Sequence, residues 1–433
     1  VVAFASTIAV GAVLLSLPVA SASEEGAGWV TALFTATSAV CVTGLIVVDT
    51  PGYWSTFGEV VILALIQVGG LGIMALASLL GLLITRRFGL RMRLTAATET
   101  KTLDLGDVRR VVTGIVLVSF LFEAVLSTVL TLRFAFGYSY PWGTALYHGV
   151  FHAVSAFNNA GFALYSDSLM RFATDPWICV PIALAVITGG LGFPVWIEVW
   201  RRARGSLRRW SLHVKVTVLT IGALLVVGTT VVTAAEWNNP ETLGQFGPGG
   251  RLLAGFFHGV MPRTAGFNSL EVSEFESGTL LVTNVLMFIG GGSAGTAGGI
   301  KVTTFALLGF IILAEIRGLP TVHVMGRKLT SAVQRQALTV VLLSMGAVVS
   351  GTLLLLTLTP FHRLETVLFE AVSAFATVGL STGITGELPT SGTLVLTGLM
   401  FLGRLGPITL ASALALRERA RRYELPEERP IVG

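Results

Sequence analysis

Apolar stretches of about 20 residues recur along the whole chain, separated by short charged clusters. Each is long enough to cross a hydrocarbon core of roughly 30 Å as a single helix. Between them lie apolar segments of about a dozen residues, too short to span and therefore predicted to be re-entrant half-helices. The predicted unit is an outer helix, a half-helix, a loop and an inner helix. In the first unit these cover roughly residues 1–20, 28–41 and 55–85. The opening stretch, Val1 to Ala20, reads as a trimmed first transmembrane helix, because a signal peptide needs a basic start.

The unit is used four times. Phe34, Phe151, Phe256 and Phe369 each stand ten residues before a glycine: Gly44, Gly161, Gly266 and Gly379. Leu or Phe follows each glycine, and Ser38, Ser155 and Ser373 share one offset. A second landmark follows 24 to 28 residues later: Gly69-Gly-Leu-Gly72, Gly189-Gly-Leu-Gly192, Gly290 to Gly292, and Gly403-Arg-Leu-Gly406. Two landmarks in one order, four times over, imply an internal repeat. The predicted fold is an all-α membrane protein with four pseudo-fourfold repeats around one pore. Its units are residues 1–90, 91–205, 206–320 with a broken inner helix, and 321–415. Residues 416–433 form a cytoplasmic C-terminal tail.

Composition agrees with a membrane chain. Only 12% of the 433 residues are charged, against about 25% in soluble domains. The net charge of +5 is informative through its distribution. Arg86 to Arg110, Arg201 to Lys215, Arg317 to Arg335 and Arg417 to Arg429 hold 22 of the 29 Lys and Arg. By the positive-inside rule these segments face the cytoplasm. The alternate loops are acidic or neutral, so the four glycine loops are expected on the outer side. Nucleic-acid binding would need reading motifs that the basic loops lack. Cys41 and Cys179 make neither a disulfide framework nor a metal-ligand spacing.

Irregular backbone at membrane depth survives only where it lines a water-filled cavity or is buried in protein. Four such loops around one axis would make a pore for a dehydrated monovalent cation, whose hydration shell backbone carbonyls can replace. Turning successive carbonyls inward favours glycine, which adopts unusual backbone conformations at low cost. The candidate selectivity-filter residues are Val42, Thr43 and Gly44; Asn159, Ala160 and Gly161; Thr264, Ala265 and Gly266; and Thr377, Val378 and Gly379. Half-helix C-termini aimed at the axis would add negative dipole ends. Asp49 and Asp167 either concentrate cations at the mouth or are ordinary loop acids.

The third inner helix is interrupted by Gly290, Gly291, Gly292, Ser293, Ala294, Gly295, Thr296, Ala297, Gly298 and Gly299. Each glycine costs a helix about 1 kcal/mol relative to alanine, so this run is predicted to be a buried loop below the filter. Arg404 occupies the slot of Gly70 and Gly190 in the internal alignment. A charge at that depth costs about 2.5–3.5 kcal/mol on insertion scales and faces a cavity or a partner. Arg404 and the 290–299 loop are read as a gate. The alternative is a structural salt bridge to Glu123, Glu198 or Glu370.

The four glycine loops, together with the runs Val42 to Thr50, Arg263 to Asn268, Gly291 to Thr304 and Gly403 to Leu410, resemble the Trk/Ktr/HKT superfamily of K+ transporters. The resemblance covers essentially the whole chain and is strongest to the KtrB type of membrane subunit. It implies K+ as the ion held at the filter residues, Gly44 at the first filter position going with K+ where Ser goes with Na+. It supports an intramembrane gating loop at residues 290–299. It also implies a homodimer with one pore per subunit, in the plasma membrane of a prokaryotic cell, and a cytosolic nucleotide-binding ring of the KtrA type. Stimulation by Na+ is open, and no organic cofactor is expected in this chain.

Other readings are weaker. An alternating-access secondary cation transporter would have inverted repeats around a midplane site, whereas these repeats run parallel. An intramembrane enzyme needs a catalytic constellation, and none is seen. Ile300 separates Gly299 from Lys301, which spoils a phosphate loop. His148 and His152 lack the glutamate between them that a zinc protease needs.

Overall fold

The computed structural model describes residues 1–23, 25–93, 105–205 and 209–416. The basic tail and residues 94–104 of the first basic loop lie outside these residues. The described chain is mostly helical, with one two-stranded hairpin, His323–Val324 against Arg327–Lys328.

Among the described residues, four helices are long and apolar enough to cross a membrane: Thr56–Ser78, Val111–Gly137, Leu212–Glu236 and Ser331–Leu358. A fifth span is formed if Pro176–Leu191 and Phe193–Ala203 count together, bent by 99° at Gly192. Their outer faces carry exposed Leu117, Leu121, Leu342 and Leu353, as a lipid-facing surface requires. Local signals set several ends. Asp175 caps its helix by accepting from the Trp177 amide at 2.9 Å, with Pro176 in the first turn. The first helix, Val2–Leu15, stops earlier than expected because Pro18 opens a 3-10 turn two residues past its C-cap.

Four short helices lie inside the bundle: Trp29–Val40, Trp142–Phe157, Pro248–Val260 and Leu364–Ala376. Each ends at one of the repeated glycine loops. The helix after each loop packs against the short helix of the next segment. Thr56–Arg93 touches Trp142–Phe157, Pro176–Leu191 touches Pro248–Val260, Ser277–Phe288 touches Leu364–Ala376, and Thr390–Leu416 returns to Trp29–Val40. The order closes on itself.

The close packing uses the paired glycines. A methyl group at Gly69, Gly189 or Gly403 would run into the carbonyl of Val40, Phe157 or Phe375 respectively. Gly290 departs from this pattern, meeting Gly298 O instead. The bend at Gly192 is a feature that the Gly-Gly-Leu-Gly pattern did not announce. Gly192 has φ +95°, a left-handed conformation cheap only for glycine. Phe193 N donates there to Ala294 O at 3.2 Å. The loop from the third segment fills the bend.

Candidate functional site

The four repeated glycines meet. A methyl added at Gly161 would lie 2.8 Å from Ala265 O and 2.9 Å from Gly266 Cα. One at Gly266 would lie 2.6 Å from Val378 O and 3.1 Å from Gly379 Cα. One at Gly379 would lie 3.1 Å from Gly44 Cα, and one at Gly44 would lie 3.1 Å from Gly161 Cα. Each glycine touches the next, in chain order, until the fourth touches the first. Any side chain would collide with a neighbouring carbonyl, so the ring demands glycine at all four corners.

The backbone alternates. Gly44, Gly161, Gly266 and Gly379 have φ between +69° and +94°. Two residues earlier, Val42, Asn159, Thr264 and Thr377 have φ of 56°, 61°, 65° and 50°. Left-handed residues alternating with ordinary ones turn successive carbonyls to one side. Valine in this region is a genuine outlier, and such strain persists only where surroundings enforce it. Sequence reasoning assigned the unusual conformation to glycine alone. The β-branched Val42, Thr264 and Thr377 gave no sign of it. The hydroxyls of Thr43, Thr264 and Thr377 are buried without a protein partner. Unclaimed oxygens beside strained carbonyls are the donor set that an alkali cation takes as cargo.

Buried side chains of the short helices hold the loops. Ser38 Oγ donates to Leu45 O at 2.8 Å and accepts from Gly44 N at 3.0 Å. Ser155 Oγ donates to Phe162 O at 2.8 Å, and Ser373 Oγ accepts from Gly379 N at 3.1 Å. Val260 stands at this offset in the third loop. Glu370 was weighed only as a partner for Arg404. Its carboxylate instead accepts from Ser381 Oγ at 2.7 Å, Thr382 N at 2.9 Å, Thr382 Oγ1 at 3.2 Å and Thr385 Oγ1 at 2.7 Å. His152, at the same offset in the second loop, accepts from Leu164 N through Nε2 at 3.3 Å. Its Nδ1 contacts His148 O at 2.8 Å, so it is a packing histidine. Among the described residues no cluster of three metal-ligating side chains occurs.

A cavity of about 560 Å3 opens on the far side of the glycines from the loop 290–299, lined by all four of them with Asp49, Asp167 and Glu271. Asp167 is paired with Arg171 at 2.7 Å, and that hydrogen bond holds the guanidinium above its ordinary range. Asp49 accepts from Ser166 Oγ at 2.8 Å. The two acids therefore differ: Asp167 is neutralised locally, and Asp49 is not.

The glycine-rich run is a buried loop between helices Ser277–Phe288 and Val302–Ile316. It is wedged among the other segments. Gly292 N donates to Gly190 O at 2.8 Å and Thr296 N to Gly189 O at 3.2 Å, while Gly298 abuts Ala376 and Thr377. Arg404 is 2% exposed, and its Nη1 donates to Thr296 O. The three acids considered as its partners are engaged elsewhere. Glu123 accepts from Gln67 and Asn158, Glu198 from Ser211 N, and Glu370 as above. Lys301 Nζ donates back to Ala297 O at 2.6 Å.

Comparison with known proteins agrees with a cation-transport fold. The family model described as TrkH, cation transport protein, matches residues 4–421. The Ktr system potassium uptake protein B of Bacillus subtilis (strain 168) is 39% identical, over 97% of this chain and 93% of that protein. The protein of the same name from Vibrio alginolyticus is 39% identical, over 99% of this chain and 93% of that one. The crystal structure of the potassium transporter TrkH from Vibrio parahaemolyticus superposes with a TM-score of 0.73 at 16% identity. It covers 94% of this chain and 83% of the other, which is a likeness of fold. The chain belongs to the TrkH family of cation transport proteins.

Proposed function

We propose that this chain is the K+-translocating pore subunit of a potassium uptake system, multi-pass in the plasma membrane. One observation carries the reading: the closed ring of four glycines, each preceded by left-handed backbone and buried oxygens. The four segments act as pseudo-fourfold repeats, divided near residues 90, 205 and 320. Their loops form a single-file filter from Val42–Gly44, Asn159–Gly161, Thr264–Gly266 and Thr377–Gly379. The short helices point their negative dipole ends at the ion. The cavity above the ring is the outer vestibule, and Asp49 draws cations into it.

The gate is Arg404 with the loop 290–299. A buried guanidinium below the filter repels a cation electrostatically, and in a low-dielectric site that repulsion is large. Arg404 also fastens the loop through Thr296 O. The names of the relatives and the basic inner loops support a cytosolic partner, read here as a nucleotide-binding ring of the KtrA type acting on a homodimer of this chain.

The test is uptake of Rb+ and Na+ into proteoliposomes holding the purified chain. Rb+ uptake is expected to exceed Na+ uptake. Arg404→Ala is expected to raise Rb+ flux about tenfold with the Rb+ to Na+ ratio unchanged, the repulsion removed being at least about 1.4 kcal/mol. Na+ preferred over Rb+ overturns the assignment of cargo. Flux unchanged in the arginine variant overturns the gate.

A further inference from the structure

The side chain of Asn159 does something that no filter carbonyl requires. Asn159 is fully buried at the second of the four loops. Its Nδ2 donates to Arg263 O at 3.2 Å, and its Oδ1 accepts from Thr296 Oγ1 at 3.0 Å. A carbonyl oxygen can only accept, so the amide orientation is fixed by its partners. Both ends are used, and both point away from the residue's own loop: one to the third glycine loop, one to the run 290–299.

The bonds continue in both directions. Arg263 is 4% exposed, and its Nη1 donates to Ile289 O at 3.2 Å. Ile289 is the residue where helix Ser277–Phe288 gives way to the loop. At the other end, Thr296 O accepts from Arg404. Arg404, Thr296, Asn159, Arg263 and Ile289 thus form an unbroken hydrogen-bonded chain. It begins at the arginine, crosses two filter loops and returns to the root of the glycine run. The corresponding positions in the other loops are Val42, Thr264 and Thr377. Valine has no polar group, and the hydroxyls of Thr264 and Thr377 are without partners. Of the four positions, only Asn159 carries an amide able to bridge two elements.

We propose that Asn159 is a positioning residue that couples the gating loop to the filter, so that the seat of the loop sets ion preference as well as flux. The proposal rests on the assignment of filter and gate made above. When the loop leaves its seat, Asn159 Oδ1 loses its donor in a buried site. A buried acceptor without a partner is costly, so the second strand readjusts, and through Arg263 O so does the third. Coupling of this kind is reciprocal. A change of ion in the filter therefore also changes how firmly the loop is held.

Thr296→Val removes the hydroxyl while keeping the shape of the side chain and the carbonyl that Arg404 uses. Thr296→Ser keeps the hydroxyl. Rb+ and Na+ uptake into proteoliposomes would be compared for both variants, for Arg404→Ala and for the parent chain. The valine variant is expected to change the Rb+ to Na+ ratio by about fivefold or more, and the serine variant to keep the parent ratio. Arg404→Ala removes the charge while the loop keeps its bonds to Asn159, Gly189 and Gly190, so it is expected to change flux with the ratio kept. A valine variant with the parent ratio overturns the coupling, whether its flux rises or not. A serine variant that behaves like valine also overturns it. An unchanged flux in Arg404→Ala strikes the gate assignment instead, so the two failures are separable.

Discussion

The third glycine loop and the fourth are built from the same pattern but held in opposite ways. The fourth is clamped from within its own segment. Ser373 accepts from Gly379 N, and Glu370 gathers donors from Ser381, Thr382 and Thr385. The third has Val260 in place of the serine. Its counterpart to the glutamate offset is Phe257, and His258 beside it stacks edge-on to Phe275 with ring centroids 4.6 Å apart. Arg263, at its base, is tied outward to Asn159 of the second loop and, within its own segment, to Ile289 at the root of the glycine run. The fourth loop is thus stiffened by its own short helix, and the third is held by the neighbouring second loop and by the root of the glycine run. The broken helix lies in that same third segment. A loop held by neighbours transmits their movement, whereas a loop clamped to its own helix resists it. The difference teaches that the molecule concentrates rigidity and compliance in separate corners of one ring.

The largest break in this comparison is expected at the ring itself. Gly379→Ala would hold an L-residue at φ +94° and drive its methyl into Thr43 O. The left-handed conformation alone costs roughly 1–2 kcal/mol, and the overlap adds to it. Rb+ uptake is expected to fall close to the protein-free background, with the purified chain still monodisperse on size exclusion. Next comes Glu370→Ala, which takes the acceptor from four donors, those of Thr382 and Thr385 buried and that of Ser381 part-buried. Each costs about 1–3 kcal/mol when unsatisfied, so thermal unfolding in detergent is expected many degrees lower. Phe257→Ala in the third loop removes only packing, and retention of ion preference there would sharpen the contrast. The smallest effect is the exchange of clamps. Ser373→Ala is expected to cost about 1 kcal/mol and to lower the Rb+ to Na+ ratio. Val260→Ser, which offers the third loop a clamp, is expected to slow Rb+ uptake. If Val260→Ser speeds uptake, compliance of the third loop is not what the missing serine provides.

Much of this architecture is legible in one dimension. Span length, the four glycines, the paired-glycine landmarks and the glycine run are local features, and they report directly on helix length, close packing and helix failure. Gly69, Gly189 and Gly403 hold one place in the repeated pattern and lie against the carbonyls of Val40, Phe157 and Phe375. Gly290 to Gly299 were read as a buried loop and form one. The sharp bend at Gly192 is not encoded by the Gly-Gly-Leu-Gly run itself, which in the first segment sits inside a continuous helix, Thr56–Arg93; its local sign is Pro194, which the first segment lacks. Pro194 cannot continue the preceding helix, and Ala294 from the third segment accepts the Phe193 amide at the bend.

By itself the sequence determined a polytopic helical chain with four like segments, one of them interrupted, because apolar length and glycine content act on the residues that carry them. Only the tertiary structure decided which atoms meet. Arg404 takes the carbonyl of Thr296, 108 residues away, rather than a carboxylate. Asn159 reaches Arg263 and Thr296 across 104 and 137 residues. The left-handed backbone at Val42 is imposed by the loop it belongs to, against its own preference. Contacts at such separations depend on how every intervening helix packs, and no local pattern encodes that.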